Sequence, residues 1–150
     1  MSNDLQCPVD HIKVNENKIR MIALLVLILA VFFLFTGYNF IIMLLVFDFF
    51  TRTFNKQKYS PLGWLADRLV VRFKIPYKPT DRGPKRFAAG MGFFFVSIML
   101  TGAIAEWTVL LLPIAALLCI FAFLESFSGF CVGCYVYTGL KWVRGRFAKG

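Results

Sequence analysis

Two long apolar stretches, Met21 to Thr51 and Phe87 to Leu140, contain no Lys or Arg, and polar, basic segments flank them. Apolar runs of this length are the mark of membrane-spanning helices. Each carries one internal reversal signal, Thr36-Gly37-Tyr38-Asn39 in the first and Ala105-Glu106-Trp107 in the second. The pattern predicts an all-α integral membrane protein with four transmembrane helices in two hairpins, spanning about 19–36, 38–53, 87–105 and 107–127. At 1.5 Å of rise per residue the second pair crosses a hydrocarbon core of about 30 Å comfortably. Met21 to Phe35 and Tyr38 to Arg52 reach only roughly 22 Å each, so Lys18, Arg20 and Arg52 must snorkel or the bilayer must thin. One helix from Met21 to Phe50 is the rival reading, and it puts the central basic loop on the far side. A re-entrant hairpin gives the same termini as two short spans.

The central polar segment predicts a further helix over about 60–74. Ser60 is an N-cap followed by Pro61 at the first helical position, and Leu62, Leu65, Leu69, Val70 and Phe73 recur opposite Asp67, Arg68 and Arg72. This is an amphipathic interfacial helix in the central cytoplasmic loop, with Trp64 at the boundary and a basic face suited to anionic headgroups. The alternative is a helix packed on the cytoplasmic ends of the spans. The stretch from Lys74 to Pro84, with three Pro, ends it.

Composition strengthens the membrane assignment. Of 150 residues 59% are hydrophobic and only 17% charged, and 18 are Phe, which excludes a free-standing soluble globule and leaves no room for a separate catalytic domain. The chain reads as one domain, 1–150. The net charge is +9, and the 17 Lys and Arg are confined to three places: the first 20 residues, the segment from Arg52 to Arg86, and the segment from Lys141 onward. If all three share the cytoplasmic side, each apolar stretch crosses an even number of times and both termini are cytoplasmic. Topology accounts for the positive charge, so no nucleic acid is needed as a partner. The first 17 residues carry acids and Pro, unlike a cleavable signal.

Within the third span Ala88, Ala89, Gly90 and Gly92 predict close helix approach, with Ala88 and Gly92 as a small-xxx-small pair. Cys119, between Leu118 and Ile120, reads as an inert core thiol.

The candidate chemistry lies in the other three cysteines and two acids. Cys131-Val132-Gly133-Cys134 is a CxxC pair, able to exchange a disulfide or share a soft metal, and it follows the fourth span at the cytoplasmic surface. Ser128-Gly129 can break that span and cap a new helix, putting Cys131 in a first turn that favours thiolate. Cys7, stiffened by Pro8, falls on the same side and can act as resolving thiol. Cys7, His11, Cys131 and Cys134 also make up a Cys3His set for zinc, across a long gap. A stable structural disulfide is disfavoured in a reducing cytosol. Asp48 is explained by an i,i+4 ion pair with Arg52. Glu125 has no Lys or Arg within ten residues, so it either meets a cation from another segment or carries protons beside the thiols.

Cys7-Pro8-Val9-Asp10, Val14-Asn15-Glu16 with Arg20, Tyr59-Ser60-Pro61-Leu62, Gly83-Pro84-Lys85-Arg86-Phe87-Ala88, and Leu124-Glu125 with Gly129 to Cys134 and Tyr137 follow one ordered pattern. In this the chain resembles the bacterial membrane family known as domain of unknown function 4395. The resemblance covers nearly the whole chain and implies a small multi-span protein of the bacterial cytoplasmic membrane. It marks Cys7, Pro8, Asp10, Asn15, Glu16, Arg20, Pro84, Lys85, Arg86, Glu125, Cys131, Gly133 and Cys134 together, and leaves His11 out.

Two classes of function stay open. One is a membrane thiol protein that exchanges electrons or sulfane sulfur with a soluble thiol or sulfur-carrier protein. In it Cys131 or Cys134 is the nucleophile, Cys7 the resolving thiol and Glu125 the proton carrier. The other is a non-catalytic membrane subunit or small-solute carrier, oligomeric if it transports, whose cysteines pack or hold a metal. No cofactor is legible.

Overall fold

The computed structural model describes residues 13–54, 56–129 and 131–148. Helix α1 spans Glu16–Thr36, α2 Asn39–Thr53, α3 Pro61–Arg72, α4 Arg82–Ile104, α5 Thr108–Phe123 and α6 Val132–Phe147, with a π-helical turn, Leu124–Ser128, extending α5. The architecture is helical, as expected. Beside the helices two short strands, β1 (Lys13–Asn15) and β2 (Pro79–Asp81), pair antiparallel with Val14 opposite Thr80.

Both expected reversals are present. Gly37 ends α1 in the left-handed conformation (φ 67°), its N–H bonded to the Phe33 carbonyl at 2.7 Å, which excludes one continuous helix through Met21 to Phe50. Glu106 (φ 58°) makes the turn before α5. The starts of α1 and α4 fall earlier than predicted. Glu16, Lys18 and Arg20 resemble a polar lead-in, yet Asn15 caps the helix by accepting from the Asn17 N–H at 3.1 Å, and Glu16 and Arg20 then pair across its first turn. α1 is therefore 21 residues, not a marginal 15. Helix α4 begins at Arg82 because Pro84 lies within the first turn, where its missing N–H costs nothing.

Among the described residues three helices are long and apolar enough to cross a membrane: Glu16–Thr36, Arg82–Ile104 and Thr108–Ser128. α2, at 15 residues, covers only about 22 Å. The four helices close a ring in the order α1, α2, α4, α5, with α3 laid on α1 and α6 on α4. One stripe of each helix fills the centre: Ile22, Val26, Ala30 and Phe33 of α1 meet Leu45, Val96, Met99, Ala115 and Leu118. The outward faces are also apolar. Phe35 (85% exposed), Phe40, Phe47, Phe94, Val109 and Leu112 all stand clear of the core, as a lipid-facing surface requires.

The strand pair ties the start of α1 to the start of α4 across the ring, so both helices begin at the same end. Arg86 Nε donates to the Thr53 carbonyl at 2.9 Å, which brings the end of α2 to that end as well. The turns at Gly37 and Glu106 share a cleft at the opposite end.

Asp48 has more to do than pair with Arg52. It is fully buried, and its Oδ1 accepts from the Ser60 hydroxyl and from the Leu62 N–H (3.2 Å), while Oδ2 faces Arg52 at 3.6 Å. Ser60 Oγ in turn accepts from the Gly63 N–H at 2.9 Å. A carboxylate from α2 thus completes the N-cap of α3. Leu62, Gly63 and Ala66 of α3 are buried, whereas Leu65 and Phe73 of its apolar side are exposed with Trp64.

Candidate thiol site

The end of α5 and the start of α6 place the CxxC pair. Gly129 (φ 65°) terminates the π turn in the left-handed conformation, and a β-carbon there would fall 2.1 Å from an Arg20 guanidinium nitrogen. Arg20 is held by Glu16 at 2.7 Å, and Glu16 also pairs with Lys78 at 3.0 Å. Two residues later Cys131, buried and extended (φ −88°, ψ 103°), is the N-cap of α6, and its carbonyl accepts from the Cys134 N–H at 3.0 Å. Gly133 then packs on α4. A β-carbon there would lie 2.6 Å from both Cα and Cβ of Ala88, so only glycine admits the contact. The small residues of α4 serve two partners, since Gly92 makes equally close room for the Phe49 ring of α2.

Cys131 and Cys134 are free thiols. The hydrogen bond between them is the chief cause of their opposed acidities. Cys131, as donor and further penalised by burial and by Glu125, is held above the usual thiol range. Cys134, as acceptor and helped by Lys85, falls below it. The expectation that Cys131 occupies a thiolate-favouring first turn is corrected accordingly. The first proton leaves from Cys134, the less buried of the two and the one helped by Lys85.

Glu125 lies in the π turn and meets the basic partner the local sequence lacks, Lys85 of α4, at 3.5 Å. Local deviations of this kind often occur at functional sites. Glu125, Cys131 and Gly133 line a cavity of about 60 Å³ with Ala88, Gly92 and Phe49. The structure thus brings Glu125, Cys131 and Cys134 together and adds Lys85, Arg20 and Glu16, whose roles the local sequence does not disclose. Cys7 and His11 lie outside the described residues, and with them the resolving-thiol and zinc assignments. Cys119 stands apart in α5, half-buried against the core.

These features define a helical bundle with apolar outer faces and a pair of neighbouring free thiols at its charged end. Residues 14–141 match the family model described as Domain of unknown function (DUF4395), and the chain belongs to that family. Comparison with curated proteins gives no match, and neither does comparison with solved structures.

Proposed function

We propose that this chain is a four-pass protein of the bacterial cytoplasmic membrane in which Cys131 and Cys134 carry out reversible thiol–disulfide exchange with a soluble carrier. In this reading α2 is a short fourth crossing beside α1, the exposed side of α3 lies in the interface, and the end bearing the thiols faces the cytoplasm. The observation that carries the proposal is the pair of free thiols at the capped start of α6 beside the Lys85–Glu125 ion pair.

In the forward direction the Cys134 thiolate attacks one sulfur of the carrier disulfide, forming a mixed disulfide and releasing the first carrier thiolate, which takes up a proton. Cys131 then loses its proton to Glu125 and attacks Cys134 Sγ, closing the Cys131–Cys134 disulfide and releasing the second carrier thiolate, which is protonated in turn. The carrier disulfide gains the two electrons that the pair gives up. Cys7 is a candidate to attack the closed disulfide on the return path. Gly133 and Arg20 serve this chemistry by holding the start of α6 against α4 and α1.

The test uses the full chain purified in detergent and equilibrated in glutathione or dithiothreitol buffers between about −150 and −320 mV, with free thiols counted by a mass-adding maleimide. One reversible two-electron transition is expected, lost in Cys131→Ser and Cys134→Ser and retained in Cys119→Ser. A pair that stays reduced across the whole range overturns the redox assignment.

A further inference from the structure

A second cavity, of about 220 Å³, opens at the charged end between the start of α1, the start of α3 and the first turns of α4. Six basic side chains line it, Lys13, Lys18, Arg52, Arg82, Lys85 and Arg86, and among the described residues no carboxylate does. Three of the six have an acid elsewhere: Lys18 pairs with Asp67 at 2.7 Å, Arg52 with Asp48 at 3.6 Å and Lys85 with Glu125 at 3.5 Å. Lys13, Arg82 and Arg86 pair with no acid among the described side chains. Arg86 satisfies one nitrogen on the Thr53 carbonyl, and Lys13 is exposed.

Arg82 is the decisive residue. It is only 8% exposed, it lines the cavity, and no acid among the described side chains pairs with it. A guanidinium with so little access to bulk water, set among further cations, is stabilised by an anion brought to the cavity. A cavity that concentrates positive charge around such a group is built for an anion. Of the polar uncharged residues on its wall, Asn15, Ser60 and Tyr77, the Ser60 hydroxyl is already given to Asp48, which leaves Asn15 and Tyr77 to meet an oxyanion's remaining oxygens. The volume equals roughly seven waters at about 30 Å³ each, room for a tetrahedral oxyanion with part of an ester attached.

We infer that this cavity binds a phosphate-class oxyanion, held by Arg82 and Arg86 with Lys13 at the mouth. The group arrives either as free phosphate or as the headgroup of an anionic phospholipid, and the recognition chemistry is the same: forked guanidinium donors against paired anionic oxygens. The site stands independently of the thiol reading.

The experiment uses the full chain in neutral detergent. In one arm inorganic phosphate is titrated by calorimetry. In the other, the chain is placed in nanodiscs of phosphatidylcholine with or without phosphatidylglycerol, and retained lipid is counted by native mass spectrometry. Binding in the first arm marks a soluble oxyanion; one phosphatidylglycerol retained per chain in the second marks a headgroup. Arg82→Gln should weaken whichever is found by about tenfold or more, and Lys56→Gln, an exposed lysine outside the cavity, should leave it within about twofold. If Arg82→Gln fails to fold by circular dichroism, Arg82→Lys and Lys13→Gln take its place, with a drop of at least about threefold expected in each. Absence of binding in both arms, or binding indifferent to Arg82 and Lys13, overturns the inference.

Discussion

Gly133 and Ala88 touch backbone to backbone: a β-carbon on the glycine would sit 2.6 Å from the alanine Cα. Neither partner is the far end of a flexible side chain, so α6 must move away from α4 to admit any larger residue. Gly133→Ala is expected to cost about 1–3 kcal/mol and to lower the melting temperature in detergent. Ala88→Gly in the same chain should return part of that loss, which a double-mutant cycle reads directly.

The thiols differ in acidity through their shared hydrogen bond and through Lys85. Alkylation by iodoacetamide as a function of pH should titrate Cys134 below the ordinary thiol range and leave Cys131 protonated well into alkaline solution. A lowered pKa brings the thiolate plateau to lower pH, so Lys85→Met should move the Cys134 midpoint upward. Peptide mapping of the alkylated cysteines checks both, and an unmoved midpoint contradicts the assigned role of Lys85.

Asp48 supports α3 from α2. Asp48→Ala strips the partner from Ser60, the Leu62 N–H and the Arg52 guanidinium at once, and about 3–5 kcal/mol of destabilisation is expected. Ser60→Ala removes one capping hydroxyl and should cost about 0.5–2 kcal/mol. Asp48→Asn keeps an acceptor at Oδ1 and should fall between them, measured as thermal midpoints of the purified chain.

Four passes with the thiols on the cytoplasmic side require that reporter fusions after residue 75 and at the C-terminus both read cytoplasmic. A periplasmic signal from either one removes α2 as a crossing or reverses the orientation.

What the sequence discloses and what it hides divide along the range of the interactions. The turns at Gly37 and Glu106 and the Ser60-Pro61 cap are legible because each depends on a few adjacent residues. The break after Ser128 is legible for the same reason, and Gly129 supplies it. The start of α1 is not, because Glu16, Lys18 and Arg20 look like a solvated lead-in until Glu16 is seen joined to Arg20 and Lys78. Lys85 is hidden as the partner of Glu125 since it belongs to another helix, and Asp48 reads as an i,i+4 pair because its bonds to Ser60 and Leu62 cross a loop. The burial of Cys131 depends on α6 lying against α4, and no spacing in the CxxC motif encodes that contact.

The pairing of β1 with β2 also imposes an order of events during synthesis. Lys78 N–H reaches Asn15 Oδ1 across 63 residues, and the Glu16 N–H bonds to the Lys78 carbonyl. At about 5–20 residues per second, the first turn of α1 leaves the ribosome roughly 3 to 13 s before the strand that fastens it. The Glu16 carboxylate waits through that interval without Lys78, and the first hairpin waits without its tie to α4. A nascent chain halted before Pro79 therefore holds α1 and α2 as a loose pair, and the segment that secures them is also the one that launches the second of the three long helices.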